Sequence, residues 1–176
     1  MIYLTDILNE SLFGGGPTLL NHERLIAKAI ISFMKREYNF NAKITVRKVA
    51  HSGALGAVRI SDASINRNKF YVSIGENHSV TEIIETLIHE LIHVKQISKG
   101  ELGVTNDWTG VTWKGDIYMT AKEYNKILKK VLKKGSRDYI DLPWELEAER
   151  NVKKLYNKFM KSKEWNMISG EVETYS

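Results

Sequence analysis

Along most of the chain, apolar residues recur with a helical period, in segments bounded by capping or breaking residues. Between residues 80 and 94, Val80, Ile83, Ile84, Leu87, Ile88, Leu91 and Val94 cover nearly the whole circumference of a helix. One narrow stripe is polar, formed by Glu85, His89, His93 and Gln96. Ser79-Val-Thr-Glu82 has the form of a capping box that opens this helix, and Gly100 closes it. A helix that is apolar on nearly every side is buried, so a stripe of histidines and carboxylates along it requires a chemical reason.

The other elements follow from the same kind of reading. Residues 2–13 form a short helix or an extended arm, ended by the flexible joint Gly14-Gly15-Gly16-Pro17. From Asn21, an N-cap candidate, Leu25, Ile26, Ala29, Ile30, Phe33 and Met34 recur at helical spacing to about Tyr38. Residues 43–49, 55–60 and 69–74 read as strands, the last two separated by a turn-like stretch at 61–68. Three short strands without intervening helices predict an antiparallel or mixed sheet. Residues 101–119, rich in Gly, Thr, Asn and Asp and carrying Trp108 and Trp113, predict a loop or irregular hairpin. Thr120 and Glu123 make a second capping box, and the helix behind it packs Tyr124, Ile127, Leu128, Val131 and Leu132 until Gly135 ends it. A last helix begins near Asp141 and Pro143, carries the apolar stripe Ala148, Val152, Leu155 and Phe159, and runs to about Ser162. The expected fold is α+β, in one domain over residues 1–176, with residues 1–17 as a flexible arm and 164–176 as a tail.

Composition narrows the chemistry. With 43% apolar and 27% charged residues the chain is globular, and with no cysteine it has neither disulfides nor thiolate metal ligands. No run approaches the roughly 18 apolar residues of a membrane span, and no signal peptide is apparent at the amino terminus. A soluble, cytoplasmic protein is the expectation. Between residues 122 and 163 there are 13 Lys and Arg against 6 Asp and Glu, whereas the remainder has 13 against 15. Such a region could attract nucleic acid, but lysines on the outer faces of amphipathic helices are the simpler reading, so nucleic acid is not the favoured partner.

The polar stripe contains His89-Glu90-Leu91-Ile92-His93. Residues four apart on a helix lie about 40° apart and one turn up, so both imidazoles can reach one ion. Zinc takes imidazole nitrogen at about 2.0–2.1 Å and, when catalytic, three protein ligands plus water. Glu90 is placed to take a proton from that water. A third ligand must come from elsewhere. Nothing around His22, His51 or His78 converges on a site; the better candidates lie in Leu142-Pro-Trp-Glu-Leu-Glu-Ala-Glu-Arg150. Glu145 lies within about 20° of Val152 and points along the buried stripe, where a carboxylate is costly unless paired or metal-bound. Glu149 is only about 40° from Glu145 and stays open. Glu147 lies about 200° from Glu145, in line with Asn151, Lys154 and Lys158 on the solvent side.

His89-Glu90-Leu91-Ile92-His93 resembles the signature of the zincin metallopeptidases, and Glu145-Leu-Glu-Ala148 resembles the Glu-x-x-Ala element of the gluzincins. That likeness implies His89, His93 and Glu145 as zinc ligands and Glu90 as general base. Trp113-Lys-Gly-Asp-Ile-Tyr118 and Leu142-Pro-Trp-Glu-Leu-Glu-Ala are also similar to small zincin-type proteins encoded by bacteriophages, for which the compartment would be the host cytoplasm. The similarity runs from about Lys69 to Arg150, and the basic helix at 121–134 looks like an insertion relative to the shortest of those proteins. The resemblance implies a zincin-like fold: a small mixed sheet packed on the His-Glu-x-x-His helix and a second metal-binding helix, with further helices. Residues 69–74 would be the edge strand beside the cleft, to which an extended protein or peptide substrate adds.

The implied activity is zinc-dependent hydrolysis of peptide bonds, with Tyr118 and Tyr139 as candidates for stabilising the oxyanion and Asp141 and Glu85 for orienting a ligand imidazole. Two alternatives belong to other classes. One is a non-catalytic protein of a phage or similar assembly in which zinc is structural, against which Glu90 speaks. The other is a nucleic-acid-associated protease, which only the basic carboxyl-terminal half supports.

Overall fold

The computed structural model describes residues 18–49, 56–60, 68–76, 78–134 and 139–175. It is a mixed α+β structure of six helices and two small sheets among those residues. The arm expected at 1–17, the turn-like stretch at 61–67, His51 and Gly135 lie outside the described residues.

Helix α1 (Asn21–Tyr38) buries Ile26, Ala27, Ile30, Phe33 and Met34. Its N-cap is Leu20, one residue before the expected Asn21. Glu23 in the first turn fills the role a capping side chain would have: its carboxylate accepts from Leu20 N–H at 2.7 Å and from Lys48 Nζ at 2.7 Å.

Strands β1 (Lys43–Lys48), β2 (Gly56–Ile60) and β3 (Lys69–Ile74) form a mixed sheet in the order β1-β3-β2. β1 runs parallel to β3, and β2 antiparallel to it. The 69–74 strand is therefore the centre of the sheet, not its edge. Its own burial explains this: Phe70, Val72, Ser73 and Ile74 are all buried, a near-continuous run that fits a strand flanked on both sides. Among the described residues the edges are β1 and β2, and β2 is the one that packs against the histidine helix.

That helix, α2 (Val80–Ser98), starts at the Ser79–Glu82 capping box, with Ser79 Oγ accepting from Glu82 N–H at 3.3 Å and the Glu82 carboxylate accepting from Ser79 N–H at 2.8 Å. It ends at Gly100, whose φ of 70° is cheap only for glycine. α2 packs against α1, β2, β3 and the helix α4 (Pro143–Phe159). Ile84, Leu87, Ile88, Leu91 and Val94 are essentially inaccessible, each worth about 1.5–3 kcal/mol of burial.

Residues 101–119 are more regular than a loop. They form a meander of β4 (Leu102–Val104), β5 (Gly110–Trp113) and β6 (Asp116–Thr120). The β5–β6 turn is Lys114-Gly115, both with positive φ (52° and 98°), the two-residue hairpin geometry that matches strand twist. α3 (Ala121–Lys134) follows directly, started by Thr120 and Glu123 as expected. The stretch expected as a tail is packed. α5 (Lys163–Asn166) and α6 (Ser169–Val172) lie against α1, with Trp165 and Val172 in the core and Glu164 gripping Arg36 through two hydrogen bonds of 2.9 and 3.0 Å. No described helix is long and apolar enough to cross a membrane.

Candidate metal centre

α2 and α4 face one another, and the polar stripe of α2 meets the first turn of α4. Pro143 occupies the first helical position, where its missing N–H costs nothing, and the next two residues, Trp144 and Glu145, are buried. Trp144 anchors this turn. Its ring is wholly buried and contacts Trp113, Tyr118 and Tyr124 at centroid distances of 6.1, 5.7 and 5.9 Å. With Trp144 held by the meander and α3, Glu145 is delivered to the histidines.

The Nε2 atoms of His89 and His93 lie 3.2 Å apart. Glu145 Oε2 is 3.2 Å from His89 Nε2, and Oε1 is 3.2 Å from His93 Nε2. Ligands about 2.0–2.1 Å from a tetrahedral ion are separated by about 3.3–3.4 Å, so these three groups are spaced as one face of such a shell. Each offers one ligand atom within 4.8 Å of the others. Glu145 Oε1 is buried and receives no hydrogen bond although His93 Nε2 is beside it, so an electron-rich oxygen is aimed at the centre without a donor.

Gln96 explains why. Its Nε2 donates to the Trp144 carbonyl at 3.1 Å, which turns Oε1 toward His93 Nδ1 at 2.8 Å. A carbonyl oxygen can only accept, so the amide orientation is determined and His93 Nδ1 must carry the hydrogen. A neutral His93 then presents a bare lone pair at Nε2. Two lone-pair acceptors, His93 Nε2 and Glu145 Oε1, face each other at 3.2 Å in the protein interior, an arrangement that a cation between them satisfies. The donor set of two imidazoles and a carboxylate, with no thiolate, suits zinc.

The imidazoles and the carboxylate also act on one another's charge. Burial pushes the Glu145 carboxyl up, but His93 and His89 outweigh it and hold Glu145 well below the usual carboxylate range. Burial pushes the His89 imidazole down, and the hydrogen bond to Glu145 with the charges of Glu90 and Glu145 outweighs that and raises it above its ordinary value. The centre attracts positive charge.

Glu90 is on the buried side of α2, 2% exposed, and packs against the first residue of β2. A Cβ at Gly56 would lie 2.7 Å from Glu90 Oε1 and 2.8 Å from its Cγ, with Thr86 Cγ2 also at 2.7 Å. Only glycine leaves that volume to the Glu90 side chain. His93 is inaccessible and Glu145 nearly so, whereas the His89 side chain is 22% exposed, so the centre opens to solvent on the His89 side.

The remaining expected residues fall as follows. Glu149 is mostly exposed and stands 3.9 Å from His89 Nδ1, too far for a hydrogen bond. Glu147 does not face solvent freely: it is held between Lys114 at 3.0 Å and Lys95 at 3.2 Å, joining α4 to the β5–β6 turn and to α2. Glu85 and Asp141, expected to orient an imidazole, are both exposed, and Gln96 does that work. Its signal was available, since Gln96 lies on the same stripe three residues after His93. Tyr118 is half exposed with its ring edge on Trp144, and Tyr139 is buried in the core. His22 lies in the first turn of α1 and His78 just before α2, where its Nδ1 is 3.9 Å from Glu82. No family model, curated protein or solved structure matches the chain.

Proposed function

We propose that the protein is a zinc-dependent metallopeptidase of zincin-like fold. The observation that carries the reading is the spacing of His89, His93 and Glu145 around one point, with the unpartnered Glu145 Oε1 directed at it. These three residues would hold the zinc, and the bound ion would polarise the scissile carbonyl and acidify a water. Gln96 keeps the His93 lone pair turned inward, and Glu145 supplies the negative charge that balances the ion. Glu90 takes the proton from the nucleophilic water and returns it to the leaving amine. Gly56 leaves room for that carboxylate beside β2. As an edge strand, β2 can pair with an extended polypeptide, which would bring a peptide bond past Glu90.

The opening on the His89 side favours catalysis over a structural role, because structural zinc sites are closed by a fourth protein ligand whereas catalytic sites keep a position open. The test is Glu90→Gln, near-isosteric but unable to act as a base. Zinc stoichiometry of about one per chain should survive, while cleavage of a peptide library by the zinc-loaded protein should fall by at least about a hundredfold. Undiminished cleavage would remove Glu90 from the mechanism; no cleavage by the unsubstituted protein would favour a structural metal.

A further inference from the structure

Five cations of the other elements are held in ion pairs, whereas α3 sets several lysines side by side on one face. Lys48 pairs with Glu23, Lys95 with Glu101 and Glu147, Lys114 with Glu147, Lys158 with Glu37, and Arg36 with Glu164. Lys122, Lys126 and Lys129 have no carboxylate partner among the described residues, although all three are exposed. With Lys130 they occupy a helical arc of about 100°, and Lys122–Lys126 and Lys126–Lys130 are like-charged pairs four apart, which destabilise an isolated helix. Glu123, on the same face, is committed to Thr120 as a cap.

These lysines do not simply project into water. Lys126 and Lys130 line an open depression together with Glu123, the apolar Ile127 and Met119, and Tyr118. The depression borders β6, which ends its sheet among the described residues and leaves Ile117 and Tyr118 70% and 48% exposed. An apolar strand with an open backbone edge is a feature that folded proteins ordinarily cover or charge. Here the lysine row lies beside it.

We infer that the α3–β6 face docks an extended acidic polypeptide segment. Its backbone pairs with the open edge of β6, its apolar side chains cover Ile117 and Tyr118, and its carboxylates neutralise Lys122, Lys126 and Lys129. The strand edge distinguishes a polypeptide from a nucleic acid, since a sugar–phosphate chain offers no alternation of N–H and C=O to pair with it. Tyr118 touches Trp144, whose backbone carbonyl orients Gln96 and which precedes Glu145, so a docked segment would lie one side chain away from the support of the metal centre. The inference does not depend on catalysis there.

The experiment is fluorescence anisotropy of a short labelled peptide of alternating Glu and Val, titrated with the zinc-loaded full chain at low salt. Binding should weaken at least about tenfold in Lys126→Gln/Lys129→Gln, and fall again on raising the salt as the exposed charges are screened. Ile117→Ser should weaken it severalfold with little change in salt dependence. Lys153→Gln/Lys154→Gln, an equal change in net charge on the outer face of α4, should leave it unaltered; circular dichroism checks that all variants keep their helices. Failure of the acidic peptide to bind, equal losses in the two lysine doubles, or equally tight binding of an oligothymidylate would each overturn the inference.

Discussion

The α2–α4 interface and the α3–β6 face are both rich in charge, and they handle it in opposite ways. Between α2 and α4 the ionisable groups are enclosed and each is fixed by specific neighbours: Glu145 beside two histidines, Glu147 between two lysines, His93 held by an amide. Burial makes each unpaired group expensive, so every position there is constrained by its neighbours. On α3 Lys122, Lys126 and Lys129 are exposed with no carboxylate partner among the described residues, and water bears the cost of their charge. The first region is specified by the fold itself. The second tolerates change in the isolated chain and is constrained only by whatever it meets.

That contrast is testable, beginning with its largest expected effect. Removing Glu145 as Glu145→Ala should lower zinc affinity by at least about a hundredfold, measured by competition with a chromophoric chelator, because one of three protein ligands is lost. Glu149→Ala should change it little, since that carboxylate stands 3.9 Å from His89 Nδ1 and is largely exposed. If Glu149→Ala lost as much as Glu145→Ala, the centre would be arranged differently from the structure. Gln96→Met should cost about ten- to a hundredfold in the same assay, by freeing the His93 ring to adopt the other tautomer.

Gly56→Ala should destabilise the protein by about 1–3 kcal/mol in denaturant melts, because the added methyl meets Glu90 and Thr86. In a Glu90→Ala background part of that cost should vanish, and a strictly additive double variant would show that the two residues do not share the space.

Glu147→Gln should cost about 1 kcal/mol, more than an ordinary surface change, with a defined pH dependence. Burial pushes the Glu147 carboxyl up, but Lys114 and Lys95 outweigh it and hold it below its ordinary value. A depressed carboxylate stabilises the fold above its unfolded pKa and loses that contribution as pH falls through the folded one. The difference between wild type and Glu147→Gln should therefore be full near neutrality and shrink below about pH 4.5. A pH-independent difference would mean that the ion pairs contribute nothing. Least of all, Lys126→Gln/Lys129→Gln should shift stability by no more than about 0.5 kcal/mol, in the stabilising direction if like-charge repulsion along α3 matters.

The sequence by itself determined what depends on local periodicity and on residues sharing one helix. The capping box at Ser79, the burial of α2, the common stripe of His89 and His93, the second box at Thr120 and the inward phase of Glu145 all follow from spacings of a few residues, because helix geometry relates them rigidly. The meander was partly legible: residues 101–119 read as a loop or irregular hairpin, and Gly115 marks the β5–β6 turn. Only the tertiary structure decided the rest. That β3 is central and β2 the edge depends on strand order, which no single strand encodes. Glu147 looked outward on its own helix and became half-buried because Lys95 and Lys114 arrive from α2 and the β5–β6 turn. Trp165 and Val172 gave no periodic signal in their short segment, and α1 supplied the surface that buries them. The Gln96 amide and the Gly56 backbone acquired their roles from Trp144 and Glu90, groups distant in sequence, because hydrogen bonds and excluded volume act between whatever atoms the packed chain brings together.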